Sequence, residues 1–136
     1  MTALADAVLA ALRSAAQAEK AQASFYRALA ALAEADSPEL AERVNGLVAD
    51  EQHHLSRLVA RLLELGVPAA IAPSAVASVG LEDWEPAARQ RERAEIDRYV
   101  SLLNLDLDAR TRALIEEFLE VERRHEQQLG GKWMGA

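Results

Sequence analysis

The chain has 136 residues, which is enough for one domain with a buried core but short for two. It contains no cysteine, which excludes disulfides, zinc–thiolate sites and iron–sulfur clusters and leaves oxygen and imidazole as metal ligands. The net charge of −7, without a basic stripe, argues against nucleic acid or an anionic membrane surface as a partner.

Apolar residues recur along the chain with the 3.6-residue period of amphipathic helices, which predicts four of them. Ser37 and Asp108 are suited to cap the second and fourth helices. Pro and Gly residues mark 66–84 as a connection, and the tail at 130–136 is expected to fray. The predicted helices run from about Leu4 to Ala35, Pro38 to Leu65, Glu85 to Leu103, and from just after Asp108 to Leu129.

The lengths of the three connections predict the topology. A short loop, a long crossover and a second short loop are typical of a ferritin-like bundle rather than a plain up-and-down one. We therefore expect an all-α, ferritin-like four-helix bundle, made of two helical hairpins joined by the crossover at 66–84. Residues 1–136 would form this single domain.

Two of the three histidines belong to Glu-x-x-His motifs, which are Glu51 to His54 and Glu122 to His125. Residues three apart lie on one face of a helix, so each motif directs a carboxylate and an imidazole toward one point. Two such motifs in one bundle are typical of a dinuclear metal site. The neighbouring His53 is expected to face solvent, as is Asp50.

Three further acids, Glu19, Glu92 and Glu95, also lie in apolar helix faces, where a carboxylate is costly unless it is paired or bound to a cation. Distances along the helices place all the inward acids at nearly the same height. Five carboxylates would leave a charge of only −1 against two divalent ions. Glu95 could equally be an acid outside the ligand set or in solvent.

The two predicted hairpins look like copies of each other. Glu19 is followed by Tyr26 and Glu92 by Tyr99, each Tyr seven residues after its Glu. An internal repeat would place two metals about a pseudo-two-fold axis. The tyrosines would hydrogen-bond the Glu ligands and orient them, although they could also be ordinary core residues.

These motifs resemble the ferritin-like di-iron carboxylate superfamily, and most closely its rubrerythrin and erythrin branch. The resemblance implies that Glu51 and Glu122 bridge or flank both metals. It also implies one metal-binding pair in each half of the bundle and an extra third-helix carboxylate. The pairs would be Glu19 with His54 and Glu92 with His125. The extra carboxylate would be Glu95. Tyr26 and Tyr99 would lie beside the ligands.

The resemblance also carries expectations about activity. It implies a non-haem di-iron oxidoreductase of the peroxidase or ferroxidase type, which oxidises Fe(II) with peroxide or O₂ and uses an electron donor that the sequence does not identify. The metals would be two iron ions, with manganese as an alternative suited to the same ligands. The chain departs from rubrerythrins in lacking a cysteine-rich rubredoxin domain and in having His125 where they usually have Glu.

Three other functions fit the sequence. These are a di-iron hydroxylase of an organic substrate, an iron-storage or structural subunit, and a metal-free interaction bundle. A homodimer is expected, in which helix pairs could be exchanged between subunits. No apolar run could span a membrane and no signal-peptide pattern is present, so we expect a cytoplasmic protein without membrane partners.

Overall fold

The described part of the chain forms four α-helices arranged as two hairpins, as the sequence predicts. The computed structural model describes residues 3–68, 71–72 and 80–129. The frayed tail predicted at 130–136 lies outside these residues. The third helix begins one residue earlier than expected, at Trp84. The helices are α1 (Ala3–Ala33), α2 (Pro38–Glu64), α3 (Trp84–Leu103) and α4 (Ala109–Gln128).

The predicted caps fix where α2 and α4 begin. The Oγ of Ser37 accepts a hydrogen bond from the Leu40 amide at 3.4 Å, and Pro38 occupies the first turn, where its missing N–H costs nothing. At α4, the Asp108 carboxylate accepts from the Thr111 amide at 2.7 Å. Both helix starts therefore follow from local sequence.

Gly66 ends α2 in a Schellman motif. The Val67 amide donates to the Leu62 carbonyl at 2.9 Å, and the Gly66 amide donates to the Leu63 carbonyl at 3.0 Å. The motif needs a left-handed residue, and Gly66 has a φ of 79°. A residue without a Cβ adopts this conformation at no steric cost, so the glycine determines where the chain leaves the helix.

The two hairpins pack with α1 beside α3 and α2 beside α4. Arg61, which is buried, joins α2 to the start of α4: its Nε donates to the Thr111 Oγ1 at 3.0 Å, and its Nη2 lies 2.6 Å from the Asp108 Oδ2. No helix in the described part of the chain is long and apolar enough to cross a membrane.

Two apolar clusters form the core, one toward each end of the bundle. The first contains Leu12, Leu58 and Phe118 among others, and the second includes Tyr26, Val44 and Trp84. Along every helix the chain passes from one cluster to the other, and buried acids occupy the interval. The fold thus holds a layer of charged side chains between two apolar layers.

Candidate metal centre

Six buried side chains from all four helices meet in this central layer. They form two groups that could each hold a metal ion, with the potential ligand atoms of a group within 4.8 Å of one another. The four carboxylates are 0% exposed, and the two histidines are 2% and 3% exposed. One group is Glu19, Glu51, His54 and Glu122, and the other is Glu51, Glu92, Glu122 and His125.

The two groups share Glu51 and Glu122, one from each hairpin. His54 and Glu19 complete one group and belong to the first hairpin, whereas His125 and Glu92 complete the other and belong to the second. This partition has the pseudo-two-fold arrangement expected from the repeated sequence. A shared pair of carboxylates with one further Glu and one His on each side is the donor arrangement of a dinuclear centre.

Both imidazoles present the same nitrogen to the carboxylates. The Nδ1 of His54 lies 2.7 Å from the Glu19 Oε2 and 3.6 Å from the Glu122 Oε1. The Nδ1 of His125 lies 3.4 Å from the Glu92 Oε1 and 3.6 Å from the Glu51 Oε1. Nitrogen and oxygen lone pairs therefore converge on two positions in the same layer.

The shared carboxylates lack the partners that buried polar groups normally have. Both oxygens of Glu51 and both oxygens of Glu122 are buried without a hydrogen-bond partner, as is the Nδ1 of His125. Such atoms are rare in folded proteins because losing water without gaining a bond is costly. Cations bound between them would satisfy the oxygens, so this donor set fits a pair of divalent metal ions.

The charge of the six side chains supports the same interpretation. With neutral histidines, the four carboxylates of the two groups carry four negative charges, which two divalent ions would balance. Oxygen-rich sites with one imidazole for each metal suit iron(II) or manganese(II), whereas thiolate-dependent metals have no ligand in a chain without cysteine.

The two tyrosines link the hairpins through the outer oxygens of the cluster. The Tyr26 hydroxyl on α1 donates to the Glu92 Oε1 on α3 at 2.6 Å. The Tyr99 hydroxyl on α3 donates to the Glu19 Oε2 on α1 at 2.9 Å. Each tyrosine thus contacts the acid of the other hairpin, and the pair of contacts restricts the orientation of both carboxylates.

Glu95 lies beside the cluster but outside both groups. It is 4% exposed, and its Oε1 accepts a hydrogen bond from the Arg98 Nη1 at 2.7 Å. The Oε2 of Glu95 is buried without a hydrogen-bond partner, so Arg98 satisfies only one of the two oxygens. Metal binding by Glu95 stays a prediction from the sequence.

Asp50 and Gln22 also contact this cluster, which the sequence does not predict. The Asp50 side chain is 52% exposed, but its Oδ2 lies 2.8 Å from the Nε2 of His125. Gln22 is buried and donates from Nε2 to the Glu92 Oε1 at 3.2 Å, while its Oε1 accepts from Arg91. His53 is exposed, as expected.

Burial opposes ionisation of most acids in the cluster. It raises the pKa of Glu51 and that of Glu122 well above their ordinary values, and repulsion from the neighbouring carboxylates adds to the effect. Burial also raises the pKa of Glu19 to about 7 and that of Glu95 to about 9. Without metal, the cluster therefore holds protons at neutral pH.

The two histidines differ although they occupy equivalent positions. Burial lowers the pKa of His54 to about 4. Burial acts in the same direction at His125, but its hydrogen bond to Asp50 and the nearby Glu92 carboxylate outweigh it and raise the pKa to about 9. The contact with His125 likewise outweighs burial at Glu92 and lowers the pKa of that acid.

Comparison with models of known protein families and with curated proteins finds no match for this chain. Its class therefore rests on its own fold and site. Its described residues form four helices in two packed hairpins, with a buried carboxylate–histidine cluster that is consistent with a ferritin-like di-metal centre.

Proposed function

We propose that the protein is a non-haem di-iron oxidoreductase of the rubrerythrin-like peroxidase or ferroxidase type. The observation that carries the proposal is the pair of buried groups that share Glu51 and Glu122, all four of whose carboxylate oxygens lack a partner. Glu19 and His54 would complete the site of one iron, and Glu92 and His125 that of the other. Manganese is the alternative metal.

Two bound Fe(II) ions would supply two electrons, which with two protons reduce one hydrogen peroxide to two waters. The protein's part is to hold the ions close together and to balance their charge in an environment from which water is excluded. Tyr26 and Tyr99 would keep the outer carboxylates oriented through the hydrogen bonds described above.

Anaerobic addition of Fe(II) to the metal-free protein tests the proposal. We expect two ions bound for each chain by equilibrium dialysis, followed by oxidation of both by one equivalent of peroxide, measured by stopped-flow absorption and by Mössbauer spectroscopy. Glu122→Gln should lose both ions because Glu122 belongs to both groups. The matched variant Glu116→Gln, at an exposed position on α4, should bind and react as the wild type.

The same experiment separates two of the rival functions, the storage subunit and the metal-free bundle. A storage subunit would continue to accumulate iron beyond two ions for each chain and would form a large shell by light scattering. A metal-free interaction bundle would bind no iron at all. Retention of two ions that neither peroxide nor O₂ oxidises would exclude the oxidoreductase.

A further inference from the structure

The repeated hairpins differ in how they support their two histidines. Asp50 on α2 lies just before Glu51 and reaches the Nε2 of His125 on α4 at 2.8 Å. The equivalent position of the second hairpin, just before Glu122, is Val121. The valine side chain cannot accept a hydrogen bond, so the two hairpins differ at this pair of equivalent positions.

His54 is held in a different way. Its ring stacks on Phe118 with the centroids 4.1 Å apart. The described carboxylates within 4 Å of either nitrogen of this ring all approach Nδ1, and the nearest of them, in Glu19, lies 2.7 Å away. An aromatic contact limits the tilt of an imidazole but does not select which nitrogen carries the proton.

The contact at His125 does make that selection. When Nε2–H donates to Asp50, the lone pair of the neutral ring is on Nδ1, which faces Glu51, Glu92 and Glu122 at 3.4 to 3.6 Å and has no hydrogen-bond partner. A carboxylate behind a metal-binding imidazole also increases its basicity as a ligand. The orientation of the His125 ring and the nitrogen that faces the metal position are thus set in advance, and the ion has only to displace the Nδ1 proton that the raised pKa retains, whereas His54 must first exchange its contact with Glu19.

We propose that Asp50 is a positioning residue that makes the two metal positions unequal, so that the His125 side takes up a divalent ion before the His54 side. The inference rests on the proposed dinuclear site and adds an order of loading to it. Gln22 and Tyr26, which both donate to the Glu92 Oε1, hold the other ligand on the His125 side and favour the same order.

Titration of the metal-free protein with Zn(II), followed by NMR of the histidine rings, tests this order. Zinc is diamagnetic and binds the same nitrogen and oxygen donors, and the exposed His53 provides an internal reference. We expect the first equivalent to shift the His125 signals and the second to shift those of His54. Isothermal calorimetry of the same titration gives the two affinities separately.

Variants of Asp50 test whether this residue causes the order in which the two sides bind metal. Asp50→Ala should weaken the first binding step by about 10- to 100-fold. The His125 signals should then no longer shift before those of His54. Asp50→Asn keeps an acceptor for Nε2–H, so it should restore part of the difference in affinity between the two metal positions. If Asp50 acted only through its charge, this neutral variant would behave like Asp50→Ala. Glu116→Ala removes the same charge from an exposed position on α4 and should leave both steps unchanged.

The two proposals fail in different ways. If neither His54 nor His125 responds to Zn(II), no metal site exists and both proposals fall. If both rings respond together in the wild type, or if Asp50→Ala leaves the order and the affinities unchanged, the role of Asp50 is overturned while the dinuclear site stands.

Discussion

The Tyr26 hydroxyl on α1 lies 2.6 Å from the Glu92 carboxylate on α3, and Tyr99 on α3 makes the reciprocal contact with Glu19 on α1. The two hydrogen bonds cross between the hairpins at the level of the cluster. They therefore connect the two halves of the bundle where the core is most polar. They also restrict the orientation of Glu19 and Glu92, the two acids of the candidate metal centre that belong to only one group each.

Tyr26→Phe should destabilise the metal-free protein by about 1–3 kcal/mol, because it removes a buried hydrogen bond to a carboxylate. Gln22 remains as a donor to Glu92, so the fold should persist. Urea unfolding measures the loss. Tyr99→Phe is the natural comparison, since Glu19 keeps its contact with His54. An unchanged stability in both variants would contradict a linking role for the tyrosines.

Glu51→Gln should have opposite effects on the metal-free and metal-bound protein. In the metal-free protein, burial and the neighbouring carboxylates make Glu51 costly to ionise, so replacing it with a neutral amide should stabilise this form at pH 8 by on the order of 1–3 kcal/mol. Because Glu51 belongs to both groups, the same variant should bind neither metal ion. Urea unfolding with and without added Mn(II) measures both effects, and a variant that still gains stability from Mn(II) would refute the shared role of Glu51.

Glu95→Gln tests whether Glu95 binds metal. The sequence predicts it as a ligand, but neither of the two groups contains it. We expect this variant to retain two metal ions, because Glu95 belongs to neither group and one of its oxygens is bound to Arg98. Equilibrium dialysis against Mn(II) gives the stoichiometry, with the wild type measured in parallel. Loss of one ion would instead place Glu95 in the ligand set.

The sequence was sufficient for features that depend on one helix or one turn. Ser37 and Asp108 cap their helices as expected because a cap depends on residues within one turn. The inward acids were also predictable, since their spacing from Leu and Val neighbours defines one helix face. Even the partner of Glu95 has a local signal, an arginine three residues later.

Contacts between hairpins were harder to predict because they depend on helix rotation and crossing. Asp50 was expected in solvent, and half of its side chain is exposed, but the approach of α4 to α2 brings His125 within 2.8 Å of its carboxylate. The contact of Gln22 was equally hard to predict. Its hydrogen bond to Glu92 depends on how α1 packs against α3, which the sequence of α1 alone does not determine. The asymmetry of the cluster therefore required the structure.

Gly46→Ala should stabilise the protein by about 0.5–1 kcal/mol, because Gly46 is exposed in the interior of α2 and a Cβ there would meet no atom within 4 Å. Gly66→Ala provides the contrast. It also has open space, but its φ of 79° penalises any side chain, so a loss of about 1 kcal/mol is expected. Thermal unfolding of both variants separates the effect of backbone conformation from that of space.

The stability of the metal-free protein should fall as the pH rises from about 6.5 to 9. In this range the folded chain holds protons that the unfolded chain has released, because the folded-state pKa values are about 7 for Glu19 and about 9 for Glu95 and His125. Each such group lowers the free energy of unfolding by up to about 1.4 kcal/mol for each pH unit. The lowered pKa of His54, about 4, has the opposite sign but acts below this range.

Bound metal should remove most of this pH dependence, since divalent ions take the place of the protons on the cluster. The measurement is a series of urea unfolding curves between pH 6.5 and 9, recorded with a chelator and again with Mn(II). Asp108 serves as an internal check, because its lowered pKa affects stability only in acid, where its hydrogen bonds to Thr111 and Arg61 would be lost. A metal-free protein whose stability stays constant or increases across this range would show that the central carboxylates are not forced to retain protons, and the main physical reason for expecting a metal there would be lost.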